Sequence, residues 1–108
     1  MQHMGDYGVL SHVEMPECSI RIIWLREAEF VAPHYHDLST QIYTVLDREV
    51  ETRIGDGTFR LRPYETVRIE RGTVHSIRPL DGPALVLSLS IPPLNREDQH
   101  PVEPSGQT

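Results

Sequence analysis

The 108-residue chain contains no lysine and a single cysteine, and both shortages exclude particular chemistry. All ten basic residues are arginines, so a Schiff base on a lysine is ruled out. Arginine is also the only permanent cation with which the chain can grip an anionic substrate. The lone cysteine, Cys18, excludes an internal disulfide framework.

Long apolar runs and clustered positive charge are missing as well. No apolar run reaches the roughly 18 residues that a membrane span needs, and no charged segment precedes an apolar signal region. The formal net charge of −6 disfavours nucleic acid and anionic membrane surfaces, which attract clustered positive charge. We therefore expect a cytoplasmic protein whose partner is a small molecule, with neither nucleic acid nor membrane as a ligand.

Helical periodicity is absent too, and short β-type segments alternate with turn signals along the chain. The clearest turn is Gly55-Asp56-Gly57, which is typical of a β-hairpin. The pattern predicts eight or nine short strands and hence an all-β barrel or sandwich. The strand over Ala84–Ile91 is nearly continuous in apolar character, which indicates burial on both sides.

Composition divides the chain into three parts. Residues 1–17 form a lead-in that could hold a short strand, and residues 18–91 carry the strand pattern. After Pro92-Pro93 the chain has few apolar residues and many charged or amide side chains. Residues 92–108 are therefore expected to be a solvated tail, with an arm to a neighbouring subunit as the alternative.

The histidines His34 and His36 are the feature around which the chain is organised. Side chains two positions apart on a strand point to the same face, so both imidazoles should face one way. Gln41 begins the next apolar run, and a hairpin would bring its amide oxygen beside them. Together with the later His75, these residues predict an open site for a divalent metal.

The same residues resemble the two motifs of the cupin superfamily. Pro33-His34-Tyr35-His36 with Gln41 is similar to the first motif, and Glu70–His75 is similar to the second, normally Pro-x-Gly-x-x-His. The resemblance covers roughly Trp24 to Ile91. It implies a cupin-type antiparallel jelly-roll β-barrel, often paired as a homodimer, with one divalent ion (Zn, Ni, Fe or Mn) bound by His34, His36, Gln41 and His75.

Several family positions differ in this chain. Arg48 and Tyr64 stand where the family usually has glycines, and Gln41 stands for the usual glutamate. A neutral glutamine leaves the full 2+ charge on the ion, which makes it a stronger Lewis acid and lowers the affinity of the site. If Gln41 is not a ligand, a three-histidine site is left.

Strand parity suggests which residues accompany the metal. Tyr43 lies two residues beyond Gln41 and should face the same lumen, where its phenol could orient substrate or donate a proton. Trp24 and Arg26 share one face of their strand. If that face is lumenal, Arg26 would clamp a carboxylate and Trp24 would form a wall; otherwise Arg26 lies at the rim in water.

Three functions are compatible with these residues. Cupins with three histidines and a glutamine include proteins similar to enzymes that rearrange unsaturated uronates, while others resemble polyketide cyclases or dioxygenases. We expect a non-oxidative isomerase or lyase acting on a small oxygen-rich carboxylate or enol such as a sugar acid. The alternatives are a metal-dependent dioxygenase and a non-catalytic sugar or metabolite binding module.

Overall fold

A computed structural model describes residues 2–4, 7–26 and 31–102 of the chain. These residues form eleven β-strands and one short 3₁₀ helix, Arg96–Asp98, and contain no α-helix. Within the same residues, no helix has the length and apolar character that crossing a membrane requires. The strands are β1 (Gln2–Met4), β2 (Tyr7–Glu14), β3 (Ser19–Leu25), β4 (Val31–Tyr35), β5 (Thr40–Asp47), β6 (Val50–Ile54), β7 (Gly57–Leu61), β8 (Thr66–Ile69), β9 (His75–Pro79), β10 (Ala84–Ile91) and β11 (His100–Pro101).

The strands build two antiparallel sheets that face each other. The first sheet has the order β1-β2-β3-β10-β5-β8, and the second has the order β11-β4-β9-β6-β7. From β3 onward the chain changes sheet at every connection except the one between β6 and β7. This is the jelly-roll arrangement that was expected. The short β1 and β11 had no apolar alternation by which they could be recognised.

The space between the sheets is apolar at one end and polar at the other. On the first sheet, Ile23, Val86 and Val45 lie side by side on neighbouring strands and are almost fully buried. Two further rows on the same inner face are polar, because they contain Arg21, Ser88 and Tyr43, then Ser19, Ser90 and Gln41. Burial of each Val, Leu or Ile side chain stabilises the fold by about 1.5–3 kcal/mol. The apolar rows therefore hold the sheets together, and the polar rows face an internal site.

The prediction that β10 is buried on both sides is wrong. Its side chains alternate, so that Ala84, Val86, Ser88 and Ser90 point inward and are buried. The leucines between them lie on the outer face of the first sheet and are only partly buried. The apolar run therefore combines a half-polar inner face with an apolar outer face.

The segment after Pro93 is mostly exposed, but it is attached to the barrel at two points. Its strand β11 pairs with β4 at the edge of the second sheet, and Asp98 is only 3% exposed. The polar composition of this segment could not reveal the burial of Asp98. Hydropathy does not show that backbone N–H groups can satisfy a buried carboxylate. Residues 103–108 lie outside the described residues, and the division of the chain into three parts stays a prediction.

Candidate metal centre

The three histidines of the two motifs meet at the polar end of the barrel. His34 on β4 lies directly opposite His75 on β9, and His36 follows immediately after β4. The ring centroids are 4.8 Å apart for His34 and His36, 4.3 Å for His34 and His75, and 5.3 Å for His36 and His75. One ring nitrogen from each histidine lies within 4.8 Å of the other two. The expectation that His34 and His36 share one face is confirmed.

Backbone carbonyls orient all three imidazoles in the same manner. The Nδ1 atoms of His34, His36 and His75 lie 2.7, 2.9 and 2.9 Å from the carbonyl oxygens of Ala32, Asp98 and Thr73, respectively. A carbonyl oxygen only accepts hydrogen bonds, so each Nδ1 must carry the hydrogen. Each Nε2 then presents a lone pair, which is the tautomer that metal-binding histidines adopt.

The surroundings keep these rings neutral. Burial, with a smaller contribution from the neighbouring His34, lowers the pKa of His75 to about 3. Burial likewise lowers the pKa values of His34 and His36 below their ordinary value. A metal ion competes with protons for the same lone pairs, so a set of neutral imidazoles is ready to bind one.

Two of the Nε2 atoms have no hydrogen-bond partner among the residues that the structure describes. The Nε2 atoms of His36 and His75 are buried and make no hydrogen bond in the described part of the chain. Buried polar atoms without a partner are uncommon and costly, and an ion between the rings would satisfy both of them. The residues therefore fit a divalent first-row metal held by His34, His36 and His75.

Gln41 reaches this region from the opposite sheet. The prediction that a hairpin would place it there is wrong, because β4 and β5 belong to different sheets. Its amide is buried, with Nε2 donating to the Ser90 hydroxyl at 3.1 Å and Oε1 accepting from the Tyr43 hydroxyl at 3.5 Å. These contacts fix the orientation of the amide, and its role as a ligand stays a prediction.

Tyr43 faces the same lumen, as its parity with Gln41 predicted. It is 3% exposed and lines one pocket together with Gln41, His34 and His36. Burial, with a smaller contribution from Tyr7, raises the pKa of the Tyr43 phenol above its ordinary value. The hydroxyl therefore keeps its proton over the whole working range of pH.

The structure does not bring Trp24 and Arg26 into this pocket. Side chains on β3 alternate, and the lumenal set is Ser19, Arg21, Ile23 and Leu25. Trp24 is on the outer face of the first sheet, and Arg26 is exposed just beyond the end of β3. Both faces of β3 carry apolar side chains, so parity alone could not identify the lumenal face, and Arg21 was missed.

Asp98 is the other residue that the sequence did not reveal. Its carboxylate accepts hydrogen bonds from the backbone N–H groups of Asp37 at 2.8 Å and Leu38 at 2.9 Å. Burial alone would raise the pKa of Asp98, but these N–H groups outweigh it and hold the pKa below its usual range. Since the Asp98 carbonyl also orients His36, the segment after Pro93 supports the metal centre.

His100 closes this arrangement from β11. Its Nε2 lies 3.2 Å from an oxygen of Asp37 and 3.4 Å from an oxygen of Asp98. The ring also stacks on Tyr35, with centroids 5.0 Å apart. Both Asp98 oxygens already accept backbone hydrogen bonds. The contacts among Asp37, Asp98 and His100 therefore anchor the segment after Pro93 to the barrel.

His75 lines a second pocket, on the side of Pro33 and Arg53. The pocket lined by His34 and His36 opens at the polar end of the barrel. Residues from both sheets and from the segment after Pro93 line it: Tyr7, Arg21, Ile23, Val31, His34, His36, Gln41, Tyr43, Ser88, Leu94 and Gln99.

Comparisons with known proteins agree with this architecture. No family model and no curated protein matches the sequence. Among solved structures, KdgF from Halomonas sp. superposes with a TM-score of 0.74 and 20% identity, over 84% of this chain and 80% of that one. A cupin superfamily protein from Desulfitobacterium hafniense superposes with a TM-score of 0.71 and 15% identity, over 84% and 82%. The oxalate decarboxylase of Lactobacillus farciminis has a TM-score of 0.79 and 13% identity, over 98% of this chain and 36% of that one.

Identities this low concern the fold alone. The neighbours share the antiparallel two-sheet barrel, and the cluster His34, His36 and His75 lies inside that barrel here. The chain therefore has the cupin fold, with a site that could hold a metal ion within it.

Proposed function

We propose that this protein is a metal-dependent enzyme that isomerises or cleaves, without oxidation, a small oxygen-rich carboxylate or enol such as a sugar acid. The observation that carries the proposal is the orientation of the three imidazoles. Each Nδ1 is held by a backbone carbonyl, which leaves the Nε2 lone pairs of three neighbouring imidazoles free for an ion.

A bound divalent ion would act as a Lewis acid toward a carbonyl or enolate oxygen. His34, His36 and His75 would hold it, with Gln41 as the fourth ligand from the opposite sheet. The amide and the imidazoles are all neutral, so the ligands would leave the charge of the ion undiminished. This arrangement favours substrates on which negative charge develops at an oxygen.

Tyr43 supplies the proton chemistry in this proposal. Its hydroxyl is buried beside Gln41 and stays protonated, because burial raises its pKa. A protonated phenol can donate a hydrogen bond to an oxyanion that develops as the substrate rearranges. Isomerisation and elimination need such a donor and need no electron acceptor, which is why we prefer a non-oxidative reaction.

One structural neighbour supports the chemical class of the substrate. The oxalate decarboxylase is named for a small dicarboxylate, and its fold superposes on nearly the whole of this chain. A barrel of this shape is thus compatible with chemistry on a small carboxylate.

The first test is the metal content of purified wild-type protein and of a His34→Ala/His36→Ala variant. Both are stripped of metal, reloaded with a panel of divalent ions and measured by elemental analysis. We expect about one equivalent in the wild type and none in the variant, because two of the three imidazoles are lost. A His12→Ala variant, which removes an exposed imidazole from β2, should bind metal as the wild type does.

The second test is turnover of a panel of sugar acids and 2-oxo acids with and without oxygen. The proposal predicts turnover under anaerobic conditions that depends on the metal and is lost in the double variant. Turnover that requires both oxygen and ferrous iron would instead select a dioxygenase. Ligand binding that survives both metal removal and the double substitution would select a non-catalytic binding module.

A further inference from the structure

Arg21 places a positive charge inside the pocket, on the face of β3 that looks toward the three-histidine cluster. Its Nε and Nη1 atoms are buried and have no hydrogen-bond partner within the described part of the chain. These atoms carry three N–H groups, all of which a protein normally satisfies when they are buried. Two buried guanidinium nitrogens without a partner among the described residues therefore point to a ligand.

The described residues that line the pocket with Arg21 include no Asp or Glu. The register places Arg21 between His12 on β2 and Ser88 on β10, with Tyr43 one strand further along the same row. A partly buried cation without a counter-charge costs stability, and no carboxylate supplies that charge from the described pocket lining.

We infer that Arg21 is the binding site for the carboxylate of the substrate. A guanidinium can receive a carboxylate through two parallel hydrogen bonds, and a carboxylate would supply the missing counter-charge. The substrate is then a small acid whose carboxylate lies on Arg21 of the first sheet while its reacting oxygen faces the histidines of the second. This inference rests on the proposed function for the histidine end, but the Arg21 contact itself needs no metal.

The arrangement also explains why the first sheet is polar at this end. Arg21, Ser88 and Tyr43 form one inward row, and Gln41 and Ser90 lie in the next. A carboxylate on Arg21 would lie along the row that leads to the Tyr43 hydroxyl. Arg21 would thus fix which end of the substrate meets the proton donor.

The test compares Arg21→Gln with the wild type and with Arg62→Gln, which removes one charge from an exposed arginine. Binding of two probes to the metal-loaded protein is measured by calorimetry: oxalate, which carries carboxylates, and acetohydroxamic acid, a neutral chelator. We expect Arg21→Gln to weaken the affinity for oxalate by about 10- to 100-fold. The affinity for acetohydroxamic acid should stay within a few-fold of the wild-type value. Arg62→Gln should change neither affinity, because it removes only an exposed charge outside the pocket.

Two readouts are independent of the metal. The Arg21 Nε–H resonance of the stripped wild-type protein should shift when acetate is added, as a hydrogen bond forms. In addition, ligand-free Arg21→Gln should unfold at the same temperature as the wild type or higher, because an uncompensated charge has been removed. Circular dichroism checks that the variants keep the wild-type fold. Arg21→Lys serves as a second variant, which keeps the positive charge but lacks the two parallel N–H donors of the guanidinium.

The outcomes separate this inference from the proposed function. If Arg21→Gln destabilises the protein and binds oxalate like the wild type, Arg21 is structural and the inference is overturned. If neither the wild type nor the His34→Ala/His36→Ala variant holds metal, the proposed function fails, yet an acetate-induced shift of the Arg21 resonance would still support the carboxylate site.

Discussion

The imidazole of His75 links the site to the stability of the whole protein. Its folded pKa of about 3 lies below the ordinary value of 6.5. Above pH 6.5 the ring is neutral in both states and contributes nothing to the pH dependence. As the pH falls from 6.5 toward 3, the His75 imidazole becomes protonated in the unfolded chain but stays neutral in the folded protein. The free energy of unfolding should then fall by about 1.4 kcal/mol per pH unit.

This effect is measurable as a slope in the metal-free protein. Chemical denaturation at a series of pH values should give a shallower acid slope for His75→Gln than for the wild type, because the substituted residue does not titrate. His12→Gln, which removes an exposed imidazole, should reproduce the wild-type slope. Equal slopes for His75→Gln and the wild type would contradict the burial of a neutral His75.

Tyr64 and Arg48 are residues whose backbone is strained. They have φ angles of 72° and 68°, in the left-handed region that favours glycine, and they are two of the positions where cupins usually have glycine. A residue with a Cβ atom pays about 1–2 kcal/mol there. Tyr64 is 81% exposed, so little packing depends on its side chain.

We expect Tyr64→Gly to stabilise the protein by up to about 1 kcal/mol, since the relieved strain is partly offset by greater freedom in the unfolded chain. The melting temperature should rise by a few degrees, as measured by calorimetry. Tyr64→Ala is the matched control, because it loses the ring and keeps the strain. A gain in both variants would assign the effect to the side chain.

At the scale of elements, the segment that ends in β11 is tied to the metal centre by Asp98. The carboxylate satisfies two backbone N–H groups after β4, and the Asp98 carbonyl orients His36. Asp98→Ala should lower the free energy of unfolding by about 1–3 kcal/mol, because partly buried donors lose their acceptor. Metal affinity should fall about tenfold or more, since outer residues that orient a ligand have effects of that size.

The measurements for Asp98→Ala are urea denaturation of the metal-free protein and metal titration by calorimetry. Glu97→Ala is the matched control, because the Glu97 side chain is exposed and only its backbone N–H takes part in the cap, where it donates to the Asn95 side chain. An Asp98→Ala protein that binds metal as tightly as the wild type would show that the segment does not support His36.

At the scale of the whole molecule, the outer face of the first sheet carries partly exposed apolar side chains. Neighbouring strands place Ile22 beside Leu87, and Trp24 beside Leu85, with all four side chains partly exposed. Soluble monomers rarely expose a broad apolar patch, and such a patch marks an interaction surface. The homodimer expected from the resemblance to cupins therefore stays a proposal, with this face as its interface.

The dimer proposal is tested with Leu87→Arg, which puts a charge at the centre of that face. Light scattering should give twice the chain mass of 12.4 kDa for the wild type and the single-chain mass for the variant. Phe59→Arg, on an exposed position of the second sheet, should leave the mass unchanged. A wild-type mass that equals one chain at every concentration would refute pairing.

Local rules were enough for much of this protein. The pleat of a strand makes His34 and His36 share a face whatever the fold, and alternation with turn signals is a local pattern, so nine strands and the all-β class could be predicted. Only the tertiary structure decided which face of β3 is lumenal, since both faces carry apolar side chains. Arg21 lies on that face, and Trp24 and Arg26 do not. The tertiary structure also decided that Gln41 meets the histidines across two sheets and that Asp98 is buried beneath them. Those contacts join residues far apart in the chain, and no local pattern records which sheet a strand enters.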